Sequence, residues 1–172
     1  MNQLSFDATA ARSLEAANGW IAAQSRVDPA LEGMATTFSA LILSRRSAFI
    51  LHVGDTRIYR LAGDGIERLT KDHTFGQGDF AHVLRRAVGF EDALLFDHGL
   101  LSLNLHDRFL LCSDGVHGVL ADSRLSALLA ERRAPQETAE RIVEAALEMG
   151  SNDNVTALVV DVVDVPPADE RA

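Results

Sequence analysis

The chain has 172 residues, 47% of them hydrophobic and 24% charged, which is typical of a globular protein long enough to bury a sizeable core in one domain. Its formal net charge is −9, from 25 acidic residues against 16 lysines and arginines. An acidic surface of this kind excludes nucleic-acid backbones and anionic membranes as favoured partners.

The first half of the chain predicts a helix followed by strands. The helix covers residues 7–27, with Asp7 as its N-cap and Asp28-Pro29 as its stop, and its inward stripe comprises Ala10, Leu14, Ala17 and Ile21, with Trp20 near the same stripe. Strands follow at 36–43, 48–53, 57–61 and 66–70. The last two flank Gly63-Asp64-Gly65, a strong hairpin signal. Strands joined this closely favour one antiparallel meander.

The second half predicts further strands and two clear helices. Residues 80–88 have the pattern of a short helix, 93–103 of one or two weak strands, and 108–112 of a strand buried on both faces. A helix capped by Asp122 or Ser123 precedes another at 136–149, which lies between Pro135 and Gly150. A last strand covers 155–163. Strands in runs beside helices indicate a single α+β domain over residues 1–165, with a disordered tail at 166–172.

Three acids fall at the ends of predicted strands. Asp114 follows the apolar run 109–112, Asp153 precedes the last strand, and Asp55 lies in Gly54-Asp55-Thr56-Arg57. A half-desolvated carboxylate needs a cation, backbone N–H donors or a proton. Each acid alone is more simply an ordinary turn residue. Together they are short oxygen donors held by rigid elements, which suits a hard cation such as Mg²⁺ or Mn²⁺.

Imidazole and thiolate chemistry find less support. The six histidines fall at no metal-ligand spacing, so we expect surface or packing roles, with His73 in Lys71-Asp72-His73-Thr74 left open. Cys112, the single cysteine, lies in an apolar run, where a thiol is usually inert packing. Cysteine-dependent phosphatases need an arginine six positions further on, and that position is Gly118. We therefore reject a cysteine nucleophile.

The amino terminus carries no recognisable targeting signal. Residues 1–7 lack a basic segment followed by an apolar core, so we expect no signal peptide. No stretch approaches the roughly 18 apolar residues of a membrane span. The expected location is the cytoplasm.

Six short motifs follow one another along the chain, namely Gly33–Thr37, His52–Tyr59, Leu69–His73, Arg86–Gly89, Leu110–Val116 and Asn152–Thr156. In this order and spacing they resemble the metal-dependent protein serine/threonine phosphatases of the protein phosphatase 2C, or PPM, type. The likeness is to bacterial members, including phosphatase domains fused to Ser/Thr kinases. It covers roughly residues 14–164.

The resemblance implies an antiparallel two-sheet β-sandwich flanked by helices, with a two-metal Mn²⁺ or Mg²⁺ centre that hydrolyses phosphoserine or phosphothreonine. Asp114 matches the metal-ligating acid of the family's Ser-Asp-Gly motif, and Asp153 matches the ligand in its Asp-Asn motif. Asp55 matches the catalytic-site acid of Gly-Asp-Ser-Arg, which in bacterial members holds a further metal with the Ser-Asp-Gly acid. The implied partners are phosphorylated protein substrates and a cognate Ser/Thr kinase.

One part of the family pattern finds no match. The family begins with Arg-x-x-Asn-Glu-Asp and Ala-Asp-Gly-Met-Gly-Gly segments, which supply the phosphate-binding arginine, the acid bridging both metals and further ligands. Residues 1–34 do not resemble them. We therefore expect the C-terminal two-thirds of the family domain, with a fold incomplete at the N-terminus. We also expect weak binding of one metal and phosphopeptide hydrolysis at background rate.

Three functions remain open. The first is a phosphatase domain acting on phosphoserine and phosphothreonine. The second is a truncated phosphatase or pseudophosphatase that serves as a regulatory or interaction module without catalysis. The third is a β-rich domain whose turn aspartates hold no metal. Whether adjacent coding sequence supplies the bridging acid distinguishes the first two.

Overall fold

The structure is a computed structural model that describes residues 3–62, 65–76 and 83–167. The helices are α1 (Gln3–Val27), α2 (Asp114–His117), α3 (Asp122–Ala130) and α4 (Pro135–Glu148). The strands are β1 (Phe38–Ser44), β2 (Ser47–Val53), β3 (Arg57–Ala62), β4 (Gly65–Arg68), β5 (Asp97–Ser102), β6 (Arg108–Cys112) and β7 (Ala157–Asp161). Within these ranges, no helix combines the length and the apolar character that a membrane span requires.

The strands form two sheets, with the orders β1-β2-β5 and β4-β3-β6-β7. In the second sheet β3 pairs antiparallel with β4 and β6, and β6 pairs antiparallel with β7. The predicted α+β class is confirmed, but a single meander from 36 to 70 is wrong, because β2 and β3 belong to different sheets. Between them Gly54 has a φ of 106°, a left-handed conformation that redirects the chain.

Two compact units divide the chain. The first comprises Met1–Ala40, Ile50–Asp55 and Asp72–Gly99, and the second comprises Leu41–Phe49, Thr56–Lys71 and Leu100–Ala172. A single domain over residues 1–165 stays a prediction.

Two predicted segments lie partly outside the described part of the chain. These are residues 168–172 of the tail expected at 166–172, and Gly63 and Asp64 of the predicted hairpin turn. The hairpin itself is confirmed, since Ala62 pairs with Gly65.

Helix α1 departs from the prediction at its start and on its buried face. It begins at Gln3, so Asp7 lies inside the helix and not at its cap. Asn18 is 2% exposed, whereas Trp20 is 64% exposed and Ala17 is also exposed. The inward stripe therefore includes Asn18 and excludes Ala17 and Trp20. Burial of Asn18 is possible because its side chain accepts from the Gly89 amide and donates to the Glu91 carbonyl, each at 2.7 Å.

The helix predicted at 80–88 is wrong for residues 83–88, and residues 80–82 lie outside the described ranges. Leu84 forms a bridge with Thr74, and Val88 forms one with Thr36. Thr74 and Thr36 are distant from this segment along the chain. The backbone of 83–88 therefore bonds to other segments and is extended, and it does not form the local hydrogen bonds of a helix. The following region contains one strand, β5.

Strand β6 is buried on both faces, as its apolar run predicts. Because successive side chains of a strand point to opposite faces, Leu110 and Phe109 enter different clusters. Leu110 and Cys112 pack with Tyr59, Val159 and the inner residues of α3 and α4, which include Leu125, Leu129, Ile142 and Ala146. Cys112 is 4% exposed, which supports its packing role.

Arg108, at the start of β6, is 2% exposed, and each of its N–H groups has an acceptor. Nε and Nη2 donate to the two carboxylate oxygens of Asp161 at 2.6 Å. Nη1 donates to the Leu129 carbonyl and to Thr138 Oγ1 at 3.3 Å, and Nη2 donates to the Arg133 carbonyl at 2.7 Å. One side chain therefore connects β6 with β7, the end of α3 and the start of α4.

We predict that Asp161→Asn lowers the free energy of unfolding by about 3 kcal/mol at pH 7, because it leaves the Arg108 charge buried without a counter-charge. Hydrogen bonds from Arg108 hold the pKa of the Asp161 carboxyl below its ordinary value of 3.8. The stabilisation is therefore full above that value and is lost as the pH falls through the lowered pKa. Urea unfolding at pH 7 and pH 3 measures both effects.

Asp164→Asn is the matched control, because this carboxylate lies in the same C-terminal segment and is exposed. It should change the free energy of unfolding by less than about 0.5 kcal/mol at either pH. Equal losses in the two variants at pH 7 would show that Arg108 does not depend on Asp161.

Candidate metal site

Asp114 lies where β6 ends and α2 begins. Ser113 is still extended, with φ of −78° and ψ of 169°, and Asp114 is the first residue of the short helix. The half-buried Asp114 carboxylate accepts the Gly115 amide at Oδ1, at 3.0 Å. This local hydrogen bond restricts the side-chain rotamer and orients the carboxylate.

Asp153 lies in the loop from α4 to β7. Gly150, with φ of 82°, ends the helix as the sequence predicts. The Asp153 side chain is exposed, and its Oδ1 accepts the Asn154 amide at 2.7 Å. The two acids therefore have the same local arrangement, in which each carboxylate bonds the amide of the next residue.

The segments that carry Asp114 and Asp153 are in direct contact. The Ser113 hydroxyl donates to the Asn154 carbonyl at 3.0 Å and accepts the Thr156 amide at 3.0 Å, and the Ser113 amide donates to the Thr156 carbonyl at 3.1 Å. Ser151 Oγ donates to the Gly115 carbonyl at 2.7 Å. Sequence reasoning did not assign Ser113 and Ser151 this role, although both stand beside the predicted acids.

Gly115 allows this close approach because it has no side chain. A Cβ built at this position would lie 2.4 Å from the Asn154 carbonyl oxygen and 3.4 Å from the Val155 Cα. The glycine of the Asp114-Gly115 pair is therefore a packing requirement of the site, not only a turn residue.

Asp55 follows β2 in the first compact unit, at the Gly54 turn. A Cβ on Gly54 would meet Thr37 Cγ2 at 2.4 Å, so this turn also needs a glycine. Asp114 and Asp153 belong to the second unit. That Asp55 shares a site with them stays a prediction.

Two histidines of the first unit are interior residues. His52 is 1% exposed and His73 is 3% exposed. His52 fits the expected packing role, His73 is the histidine whose role the sequence left open, and His82 lies outside the described residues.

The described residues do not include a full set of metal ligands. Within residues 3–62, 65–76 and 83–167, no three or more His, Cys, Asp or Glu side chains form a group that could hold a metal ion. That Asp114 and Asp153 share one cation, with carboxylate and water ligands, stays a prediction. The full ligand set of a two-metal centre does not fit the residues described.

We predict that Gly115→Ala separates the two acid-bearing segments and destabilises the protein by about 1–3 kcal/mol, because the added methyl group meets backbone atoms. The expected result is a lower urea midpoint, with amide chemical-shift changes at residues 151–156. Gly19→Ala is the control: nothing lies within 4 Å of its Cβ position in α1. Alanine there should stabilise the helix by about 0.5–1 kcal/mol. Unchanged shifts at 151–156 in Gly115→Ala would contradict the contact.

The sequence of this chain is similar to those of known protein phosphatases. The family model described as Protein phosphatase 2C matches residues 2–152. The serine/threonine protein phosphatase PstP of Mycobacterium tuberculosis is 34% identical over 170 residues, which covers 88% of this chain and 32% of PstP. The serine/threonine phosphatase stp of Listeria innocua is 30% identical over 154 residues, covering 81% of this chain and 60% of that protein.

A solved structure gives the same result for the fold. The catalytic domain of PstP in complex with two manganese ions superposes with a TM-score of 0.82 at 34% identity, over 91% of this chain and 71% of that domain. This chain thus spans about a third of the full PstP relative, at 32%. Because the family model matches most of the sequence, the chain belongs to the protein phosphatase 2C family.

Proposed function

We propose that this chain is part of a protein phosphatase domain that hydrolyses phosphoserine and phosphothreonine with Mn²⁺ or Mg²⁺. The observation that carries the proposal is the Ser113 bridge, which brings the loops of Asp114 and Asp153 together. Two relatives of this chain are named serine/threonine phosphatases, and the catalytic domain of PstP was solved with manganese. Residues 1–165 form the proposed domain.

Asp114 and Asp153 would hold one divalent cation, and Asp55 a further one. Such cations supply positive charge for a phosphoryl group and activate water for attack. The chain's own contribution is to fix the carboxylates: each Oδ1 accepts the next backbone amide, at 3.0 Å for Asp114 and 2.7 Å for Asp153. Preorganised ligands lose less conformational entropy on binding a cation.

A second candidate function is a regulatory or interaction module without catalysis. The observation that favours it is the lack, among the residues that the structure describes, of any group of three metal-binding side chains. With two acids in place of a full set, low ligand charge gives weak cation binding. The two candidates differ in whether a complete ligand set restores hydrolysis.

The proposed substrates are phosphorylated proteins, with a Ser/Thr kinase as the cognate partner in signalling. The net charge of −9 supports protein substrates over nucleic acids. A cytoplasmic location stays a prediction from the sequence.

We predict that Mn²⁺ binds this chain with a dissociation constant of about 1 mM, the range expected of few charged ligands. Paramagnetic broadening of amide signals by Mn²⁺ should centre on residues 113–115 and 152–154. Asp114→Asn and Asp153→Asn should each weaken the effect at least about tenfold, because each removes a charged ligand. Asp164→Asn, an exposed acid outside both loops, should leave it unchanged. Broadening spread evenly over all acidic residues would contradict the site.

We predict that the chain alone releases phosphate from a phosphothreonine peptide at background rate, even in excess Mn²⁺, because too few carboxylates converge for two metals. A fusion that places a family member's Arg-x-x-Asn-Glu-Asp and Ala-Asp-Gly-Met-Gly-Gly segments before residue 1 should gain Mn²⁺-dependent turnover. Asp114→Asn should abolish that gain, and Asp164→Asn should not.

Two results would change this assignment. Robust turnover by the unmodified chain, lost in Asp114→Asn, would show that its own residues complete the centre. A folded fusion that binds Mn²⁺ and hydrolyses nothing would favour the non-catalytic module.

A further inference from the structure

A network of polar groups surrounds the buried side chain of His73 in the first compact unit. The Gly54 amide donates to His73 Nδ1 at 3.2 Å, and the His73 amide donates to the Gly54 carbonyl at 2.7 Å. The imidazole is 3% exposed, so water does not compete freely for its nitrogen atoms. Both backbone polar groups of Gly54 are therefore bonded to one residue, 19 positions further along the chain.

The bond at Nδ1 determines the tautomer of His73. Because Nδ1 accepts, the proton of the neutral ring is on Nε2. Nε2 lies 3.1 Å from Asp97 Oδ2, which is placed to accept that proton's hydrogen bond. Arg86 Nη1 is 3.4 Å from Nε2 and 3.3 Å from Asp97 Oδ1. Because the protonated Nε2 cannot accept a hydrogen bond, Arg86 donates to the Asp97 carboxylate and not to His73.

His73 and Arg86 keep the Asp97 carboxyl ionised, so that both of its oxygens can accept hydrogen bonds. Burial raises the pKa of its carboxyl, but the hydrogen bond from His73 and the charge of Arg86 outweigh burial and lower it. Behind the His73 ring, His52 lies with its ring centroid 4.8 Å away, and His52 Nδ1 is 2.8 Å from Ser39 Oγ. The plane of His73 is thus fixed by packing as well as by hydrogen bonds.

Gly54 is a position that needs such support. Its φ of 106° is open to glycine, and glycine is also the residue that leaves this conformation most easily. The next residue is Asp55, so the direction in which that carboxylate leaves the backbone depends on the Gly54 conformation.

We propose that His73 is a positioning residue for Asp55: Nδ1 holds Gly54 in its left-handed conformation, and Asp97 holds the imidazole in the tautomer that can do so. The assignment of a metal to Asp55 rests on the proposed function, but the hold on Gly54 does not. His73 would touch neither substrate nor metal and would act through the Gly54 turn.

The test uses the metal-free, ¹⁵N-labelled full chain. Imidazole ¹⁵N spectra of the wild type should show His73 with an unprotonated Nδ1 and a protonated Nε2. This measurement requires no variant, so it stands even if a substitution prevents folding. The opposite tautomer, or an average of both, would overturn the proposal.

Two substitutions separate the roles of the ring nitrogens. Asn places an amide oxygen near the position of Nδ1, whereas Gln places an amide N–H near that of Nε2. Hydrogen exchange of the Gly54 amide should stay within about threefold of the wild type in His73→Asn and rise about tenfold in His73→Gln, the size of one lost hydrogen bond. His98→Gln, at an exposed histidine of the same unit, should change nothing. Equal exchange in the Asn and Gln variants would overturn the proposal.

A Mn²⁺ titration of the same samples addresses the proposed function separately. Broadening at Asp55 that persists in His73→Asn and weakens in His73→Gln supports the metal role of Asp55 and its dependence on His73. With the expected tautomer and exchange rates but no broadening at Asp55 in the wild type, the hold on Gly54 stands and the metal role of Asp55 is wrong.

Discussion

The ion pair between Arg108 and Asp161 establishes how the second compact unit is assembled. Taking a guanidinium out of water is costly unless every donor finds an acceptor, and Arg108 finds them on β7, α3, Thr138 and the Arg133 carbonyl. Its position opposite Asp161 belongs to the antiparallel register that also places Cys112 opposite Ala157. The last residue of β6 therefore lies beside the first residue of β7, so the two acid-bearing loops emerge at the same end of these strands.

Hydrogen bonds and close packing between the two loops then determine how they meet. One hydroxyl, that of Ser113, both donates to and accepts from the loop of Asp153, and Gly115 leaves room for the Asn154 carbonyl. Each carboxylate is oriented by the backbone amide of the next residue. The loops that carry the carboxylates are in turn positioned by the pairing of β6 with β7. A cation between these loops stays a prediction, and a centre for two metal ions, the number bound in the PstP structure, would need ligands beyond those described.

In the first compact unit, too, hydrogen bonds between distant segments fix the backbone next to an acid, although the groups involved are different. There a glycine in a left-handed conformation precedes Asp55, and a buried imidazole satisfies the glycine amide. Two distant segments, 54–55 and 73, meet through both backbone and side-chain hydrogen bonds. In each unit, a glycine beside a predicted ligand acid is packed so closely that a side chain at its position would force neighbouring atoms to move.

Much of this protein could be predicted from its sequence, because strand and helix periodicity are local. The apolar run 109–112, Pro135 and Gly150 indicated β6 and α4, and the acids at strand ends suggested the candidate ligands. Burial of Asn18 over Trp20, the extended path of 83–88 and the change of sheet after β2 were not predictable from local pattern. These features depend on partners far along the chain. Tertiary structure alone decided them, since hydrogen bonds to distant residues outweigh local preference.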